Sequence, residues 1–168
     1  KYSHLRDAVK AFMLKQGKRC VCTRCREVGY NLLHGHRIEE SEIKLKRMDY
    51  EASGGHEILL SFEDAKNDIL LGLLRLRIPL RPFRPEITQT TSLVREIHVF
   101  GKETGIGSSF APDQFQHRGF GRKLIEEAER ISKENGMEKI AVISGIGARE
   151  YYRKLGYVLE GAYMVKKL

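Results

Sequence analysis

The feature that most constrains this chain is the run Gln116-His117-Arg118-Gly119-Phe120-Gly121, together with the segment from Arg122 to about Asn135 that follows it. Helical spacing in that segment predicts an amphipathic helix whose core-facing residues are Leu124, Ile125, Ala128 and Ile131. The first turn of a helix leaves backbone N–H groups unpaired and carries partial positive charge, and glycines let a ligand reach the backbone. Arg118, Arg122 and Lys123 add to that charge. The run therefore predicts a phosphate-binding loop.

Two kinds of nucleotide-binding loop are alternatives for this run. A Rossmann fold needs G-x-G-x-x-G and an acidic residue about 20 positions later, and that spacing is absent here. The pattern Q-x-x-G-x-G before a helix instead resembles the pyrophosphate loop of the Gcn5-related N-acetyltransferases. This resemblance implies that residues Gln116 to Arg122 hold the diphosphate of coenzyme A.

Periodicity elsewhere predicts a basic amphipathic helix at residues 2–16 and an antiparallel meander of strands. The strands are expected at residues 43–50, 57–62, 69–78 and 93–100, then at 139–144 and 163–166, with a short helix at 148–155. This order resembles the Gcn5-related acetyltransferase fold, an α/β (α+β) architecture with a mixed central sheet flanked by helices. Two parts are expected: a helix and cysteine-rich zinc-binding linker at 1–42, and an acetyltransferase domain at 43–168.

Three cysteines, Cys20, Cys22 and Cys25, stand within six residues. Thiolates are the soft ligands that zinc prefers, and a structural zinc site takes four ligands. His34, His36 or a residue outside this chain are the candidates for the fourth. Three free thiols on a loop are the alternative interpretation.

The balance of charge favours an anionic partner. Lys and Arg number 30 against 22 Asp and Glu, a formal net charge of +8, which suits RNA, DNA or a phosphorylated cofactor. The loop from Leu80 to Pro85, with two arginines and two prolines, could contact an anion or simply connect strands. No apolar run is long enough to span a bilayer, so a soluble, cytoplasmic protein is expected, without a membrane partner. Because the chain begins with Lys1, it is expected to be a fragment.

The fourth strand and the short helix carry the candidate catalytic residues. Side chains alternate along a strand, so Glu96 and His98 share one face while Ile97 and Val99 share the other. The acetyltransferase resemblance implies that acetyl-CoA lies between the fourth and fifth strands and pairs with Glu96 to Val99. Glu96 and His98 are then candidates for acid–base work, or are structural residues. Tyr151 and Tyr152 stand where the family often keeps its tyrosine acid, and the resemblance favours Tyr152 weakly over Tyr151 for that role.

Several runs together resemble the family of Elongator catalytic subunits, from about Lys18 to the end of the chain. They are Cys20 to Val28, Ala52 to Gly55, Arg95 to Val99, Gln116 to Gly121 and Ile143 to Tyr152. The resemblance implies acetyl-CoA as substrate and modification of the wobble uridine of tRNA at C5, forming a carboxymethyl group. The iron–sulfur cluster and S-adenosylmethionine are expected only in a radical domain that this chain lacks. Implied partners are tRNA, that radical domain, and other Elongator subunits or a second copy.

Two other functions fit parts of the pattern. The fold alone is compatible with a lysine acetyltransferase that acts on histones. Charge, the basic first helix and a zinc knuckle would suit a non-enzymatic tRNA-binding module. Loss of Gly121 or Tyr152 should impair an acetyl-CoA enzyme but not such a module.

Overall fold

The computed structural model describes residues 4–101 and 119–168. The described helices are α1 (Leu5–Lys15), α2 (Thr23–Arg26), α3 (Val28–Leu33), α4 (Phe120–Glu134) and α5 (Arg149–Lys154). The strands are β1 (Ile43–Glu51), β2 (Gly55–Asp64), β3 (Ile69–Pro79), β4 (Thr91–Val99), β5 (Lys139–Ile143), β6 (Val158–Glu160) and β7 (Tyr163–Lys167). Short 3₁₀ turns cover residues 40–42 and 146–148.

All seven strands form one sheet in the order β1-β2-β3-β4-β5-β7-β6. The first four pair antiparallel as a meander, which confirms that prediction, and β4 pairs parallel with β5. Strands β5, β7 and β6 are again antiparallel. The sheet is therefore mixed, as predicted, because the chain returns from β4 to β5 through helix α4.

Helix α4 covers one face of this sheet. Its four predicted core residues, Leu124, Ile125, Ala128 and Ile131, are at most 1% exposed. They pack with sheet residues that include Ile58, Leu60, Leu74, Leu76 and Val94. Burial of this apolar area is the main force that holds the helix to the sheet.

The segment before β1 joins the sheet at the start of β3. Val28 is fully buried in a cluster with Ile69, Leu71 and Phe120. Nearby, Arg26 forms ion pairs with Glu63, at 2.7 Å, and with Asp68, at 2.8 Å. Helix α1 contributes no buried residue: Leu5 is 81% and Phe12 64% exposed. The predicted division into 1–42 and 43–168 stays a prediction.

Strand β2 is longer than predicted. It extends through Glu63 and Asp64 because these buried carboxylates have partners: Glu63 accepts from Ser61 at 2.8 Å and pairs with Arg26 and Lys46. Three short elements, α2, α3 and β6, were missed, since segments of three to six residues carry too little periodicity. Among residues 4–101 and 119–168, no helix combines the length and apolar character needed to cross a membrane.

Candidate functional site

Strands β4 and β5 separate partway along their length. Their parallel register runs from Thr91 opposite Lys139 to Val94 opposite Val142 and stops there. Beyond this point β4 continues to Val99 and pairs with β3. The register with β3 also shifts beside Arg95, which is the mark of a β-bulge. The backbone of residues 95–98 thus has no partner in β5, so an extended ligand could pair with it.

A cleft of about 630 Å³ lies beside the end of β4. It is lined by Ile97, Val99, Gly119, Gly121, Arg122, Ala148 and Tyr151. Three elements meet here: the end of β4, the beginning of α4 and the region before α5. The volume is within the range of small-molecule and cofactor sites, about 300–1,000 Å³.

Within the described part of the predicted loop, the structure explains why positions 119 and 121 are glycine. Gly119 precedes α4 with φ of 75°, in the left-handed region that favours glycine. A Cβ on Gly121 would lie 3.3 Å from Tyr151 Oη and 3.5 Å from Val99 Cγ2, so a larger residue would fill the cleft. Phe120, 6% exposed, anchors the helix start against Phe62. Gln116 and Arg118 lie outside the described residues.

The neighbouring tyrosines of α5 have different surroundings. Tyr151 lines the cleft and is 41% exposed, and burial raises the pKa of its phenol. Tyr152 is 4% exposed within the main core, where its ring lies 5.7 Å from that of Tyr157. Burial raises the pKa of Tyr152 to about 12. The structure therefore brings Tyr151, rather than the favoured Tyr152, to the cleft; both phenols are protonated at neutral pH.

Glu96 and His98 lie on the face of β4 opposite Ile97 and Val99, as the alternation predicts. Neither residue lines the cleft. The Glu96 carboxylate is 2.9 Å from Nε of Arg75, and the His98 ring is 4.4 Å from that of Phe100. Their side chains are thus separated from the cleft by the strand, and only their backbone groups are placed to pair with a ligand there. An acid–base role for either stays a prediction.

The three cysteines form a compact group. Their Sγ atoms all lie within 4.8 Å of one another, and tetrahedral zinc with Zn–S bonds of about 2.3 Å needs sulfurs about 3.8 Å apart. A hydrogen bond from the Cys25 backbone and one from Cys20 lower the pKa of Cys22 to about 7. This donor set fits zinc. Among the described residues, neither His34 nor His36 joins the group, and Nδ1 of His34 lies 2.8 Å from the Tyr30 carbonyl oxygen.

Comparison with known proteins agrees with this geometry. The model of the acetyltransferase (GNAT) family matches residues 29–157. The chain belongs to this family, and the seven-stranded sheet with its diverging β4 and β5 is the corresponding fold.

Similarity to individual proteins is much closer. The tRNA uridine(34) acetyltransferase of Methanocaldococcus infernus is 56% identical over 100% of this chain, which spans 32% of that protein. Human Elongator complex protein 3 is 50% identical over 99% of the chain and 30% of its own length. A solved structure of archaeal Elp3 from M. infernus with an N-terminal deletion gives a TM-score of 0.90, covering all of this chain and 40% of that one. These matches confirm the predicted resemblance, and the chain spans about a third of the curated relatives.

Proposed function

We propose that this chain binds acetyl-CoA in the cleft between β4 and α4, and that it is the acetyl-CoA-handling part of an enzyme that modifies tRNA uridine. The observation that carries the proposal is the end of β4–β5 pairing at Val94 and Val142. It leaves residues 95–98 without a partner in β5, near the first turn of α4, where N–H groups and Gly121 suit a diphosphate. Membership of the acetyltransferase family supports acetyl transfer as the reaction class. The names of the relatives support tRNA as the nucleic acid.

The proposed chemistry begins at the thioester carbonyl. Hydrolysis joins a water oxygen to the acetyl carbon, breaks the carbon–sulfur bond and releases acetate and coenzyme A. The departing thiolate takes up a proton, and the Tyr151 phenol is the donor that we assign, since it lines the cleft. General acid catalysis by one side chain contributes about 10²- to 10⁴-fold. Because the Glu96 and His98 side chains lie on the other face of β4, they could influence the thioester only through the backbone of β4 or through a bridging water.

We propose further that, in a longer polypeptide, the acetyl methyl carbon is joined to C5 of uridine before the thioester is hydrolysed. One C–H bond of the methyl group and the C5–H bond of uridine would be broken as the carbon–carbon bond forms, with S-adenosylmethionine as the oxidant that is itself cleaved. That step needs a radical source, for which the iron–sulfur cluster and S-adenosylmethionine of the absent domain are proposed. This chain alone is then expected to hydrolyse acetyl-CoA slowly in the presence of tRNA without modifying the base. Zinc bound to Cys20, Cys22 and Cys25 would stabilise the segment before β1. Elongator subunits or a second copy of the chain are proposed partners.

Calorimetric titration of the chain with acetyl-CoA tests the proposal. Gly121→Val should abolish measurable binding, because its side chain would occupy space beside Tyr151 and Val99. Gly29→Val is the matched control, since a Cβ there meets nothing within 4 Å. Binding by the control but not by folded Gly121→Val supports the site. Equal affinity of both variants, or no binding by the parent chain, would refute it.

A further inference from the structure

A second pocket lies on the sheet face opposite α4, under the loop that follows β3. Its volume is about 370 Å³. Four arginines, Arg77, Arg81, Arg84 and Arg95, contribute to its lining, and none of the lining residues within the described ranges is Asp or Glu. The apolar walls include Ile87, Leu93 and Tyr163. Such a lining combines strong positive charge with apolar surface.

The floor of this pocket is organised by one buried carboxylate. Glu57 is 1% exposed, and its Oε1 accepts hydrogen bonds from Nη1 of Arg77, at 2.6 Å, and from Nη1 of Arg95, at 2.8 Å. Charge-assisted bonds of this kind fix the guanidinium positions before a ligand arrives. Glu57 is therefore a positioning residue for both arginines.

The turn between β1 and β2 fixes Arg77 further. Carbonyl oxygens of Ala52 and Ser53 accept from its Nη1 and Nη2 at 3.2 and 2.6 Å. A Cβ on Gly55 would lie 2.8 Å from Arg77 Nη2, so a larger residue there would displace this guanidinium from its present position. The Ala52 to Gly55 motif thus supports the pocket floor. Arg95 differs: it is 40% exposed, and the described part of the chain gives its Nε and Nη2 no acceptor.

The rim of the pocket carries an unusually exposed aromatic ring. Phe83 is 89% exposed, and the Arg84 guanidinium carbon lies 5.8 Å from its ring centroid. A solvent-exposed phenylalanine beside arginines is a typical platform for stacking an unpaired base. Arg95 also adjoins Val94, where β4 and β5 separate. The pocket therefore borders the point at which the proposed acetyl-CoA site begins.

We infer that this pocket binds one nucleotide of single-stranded RNA. A phosphate lies on Arg95 and the other lining arginines, and a base stacks on Phe83. The inference rests on the proposed function and adds to it the position at which RNA meets the acetyl-CoA site. The adenosine phosphate of coenzyme A has the same chemistry. The proposed function places the diphosphate of coenzyme A at α4, on the other face of the sheet, so RNA is the ligand assigned here.

Fluorescence anisotropy with 5′-fluorescein pentauridylate tests the assignment. Phe83→Ala should raise Kd about tenfold, since one base stack is worth about 1–3 kcal/mol. Arg95→Gln should also raise Kd about tenfold, because it removes a phosphate contact. Arg95→Gln should also reduce the slope of log K against log salt by about 0.7. The matched controls are Arg47→Gln, whose partner is Asp49 on β1, and Leu80→Ala, which is exposed in the same loop but does not line the pocket.

Both controls should bind as the parent does, and thermal unfolding identifies any variant that fails to fold. Folded Arg95→Gln and Phe83→Ala proteins that bind like the controls would overturn the inference, as would displacement of the probe by coenzyme A. If the parent chain does not bind acetyl-CoA, the proposed function is refuted instead. The two failures are therefore distinguishable.

Discussion

Val94 of β4 pairs with Val142 of β5 at the last register position that the two strands share. Both are about 1% exposed and pack beneath α4. This buried pair holds β4 against β5, so the two strands begin to separate at a defined position. On β4, Leu93 and Arg95 line the arginine-rich pocket, whereas Ile97 and Val99 line the cleft on the opposite face of the sheet.

The tyrosine that faces the cleft should control acetyl-CoA hydrolysis. Tyr151→Phe removes the proton donor that we assign and should lower tRNA-stimulated kcat by about 10²-fold. Tyr152→Phe is the matched control, and its kcat should stay near that of the parent, because the Tyr152 ring is buried in the core. Release of free coenzyme A thiol measures both rates. A slower Tyr152→Phe enzyme with an unaffected Tyr151→Phe enzyme would reverse the assignment.

Zinc should copurify with the chain at about one equivalent, because three thiolates stand at suitable separation. Cys22→Ala should reduce the zinc content below about half an equivalent and lower the melting temperature. Thr23→Ala, within the same segment but without a thiol, should keep the metal. Elemental analysis after purification without chelator gives the answer. A metal-free parent chain, or full occupancy in Cys22→Ala, would contradict the site.

Asp64 should make stability depend on acid pH. Its carboxylate accepts from the backbone N–H groups of Glu39, Lys66 and Asn67 and from Nδ2 of Asn67. Burial acts to raise the pKa of Asp64, but these hydrogen bonds outweigh it, so the folded pKa lies below 3.8. Asp64→Ala should lower the free energy of unfolding by about 2–3 kcal/mol at neutral pH.

Because the folded pKa is depressed, this stabilisation is complete above the unfolded pKa and is lost as pH falls through the folded value. The difference between parent and Asp64→Ala should therefore shrink below about pH 4. Urea unfolding from pH 7 to 3 measures it. Asp7→Ala, in the first turn of α1, is the control with small effect. A difference that stays constant with pH would exclude the carboxylate charge as its origin.

Local patterns predicted most of the elements. The apolar stripe of α4 appears in the structure with all four predicted residues buried, although the helix begins at Phe120, directly after Gly119, and not at the predicted Arg122. Alternation along β4 placed Ile97 and Val99 on one face, and both line the cleft. These features follow from contacts between residues close in sequence, where periods of 3.6 and 2 are visible.

Other features depended on which elements meet. Tyr151 and Tyr152 are adjacent, and only the packing of α5 decides which ring is buried in the core and which reaches the cleft. The role of Glu57 was missed because its partners Arg77 and Arg95 are 20 and 38 residues away.

The phosphate-loop motif, the meander, the cysteine group and the family could all be inferred from the sequence, since each depends on the spacing of nearby residues. The position at which β4 leaves β5, and the side chains that line each pocket, became known from the folded chain. The physical reason is that burial and ion pairing are set by neighbours in space. A strand pattern specifies two faces, but not the residues that will lie against them.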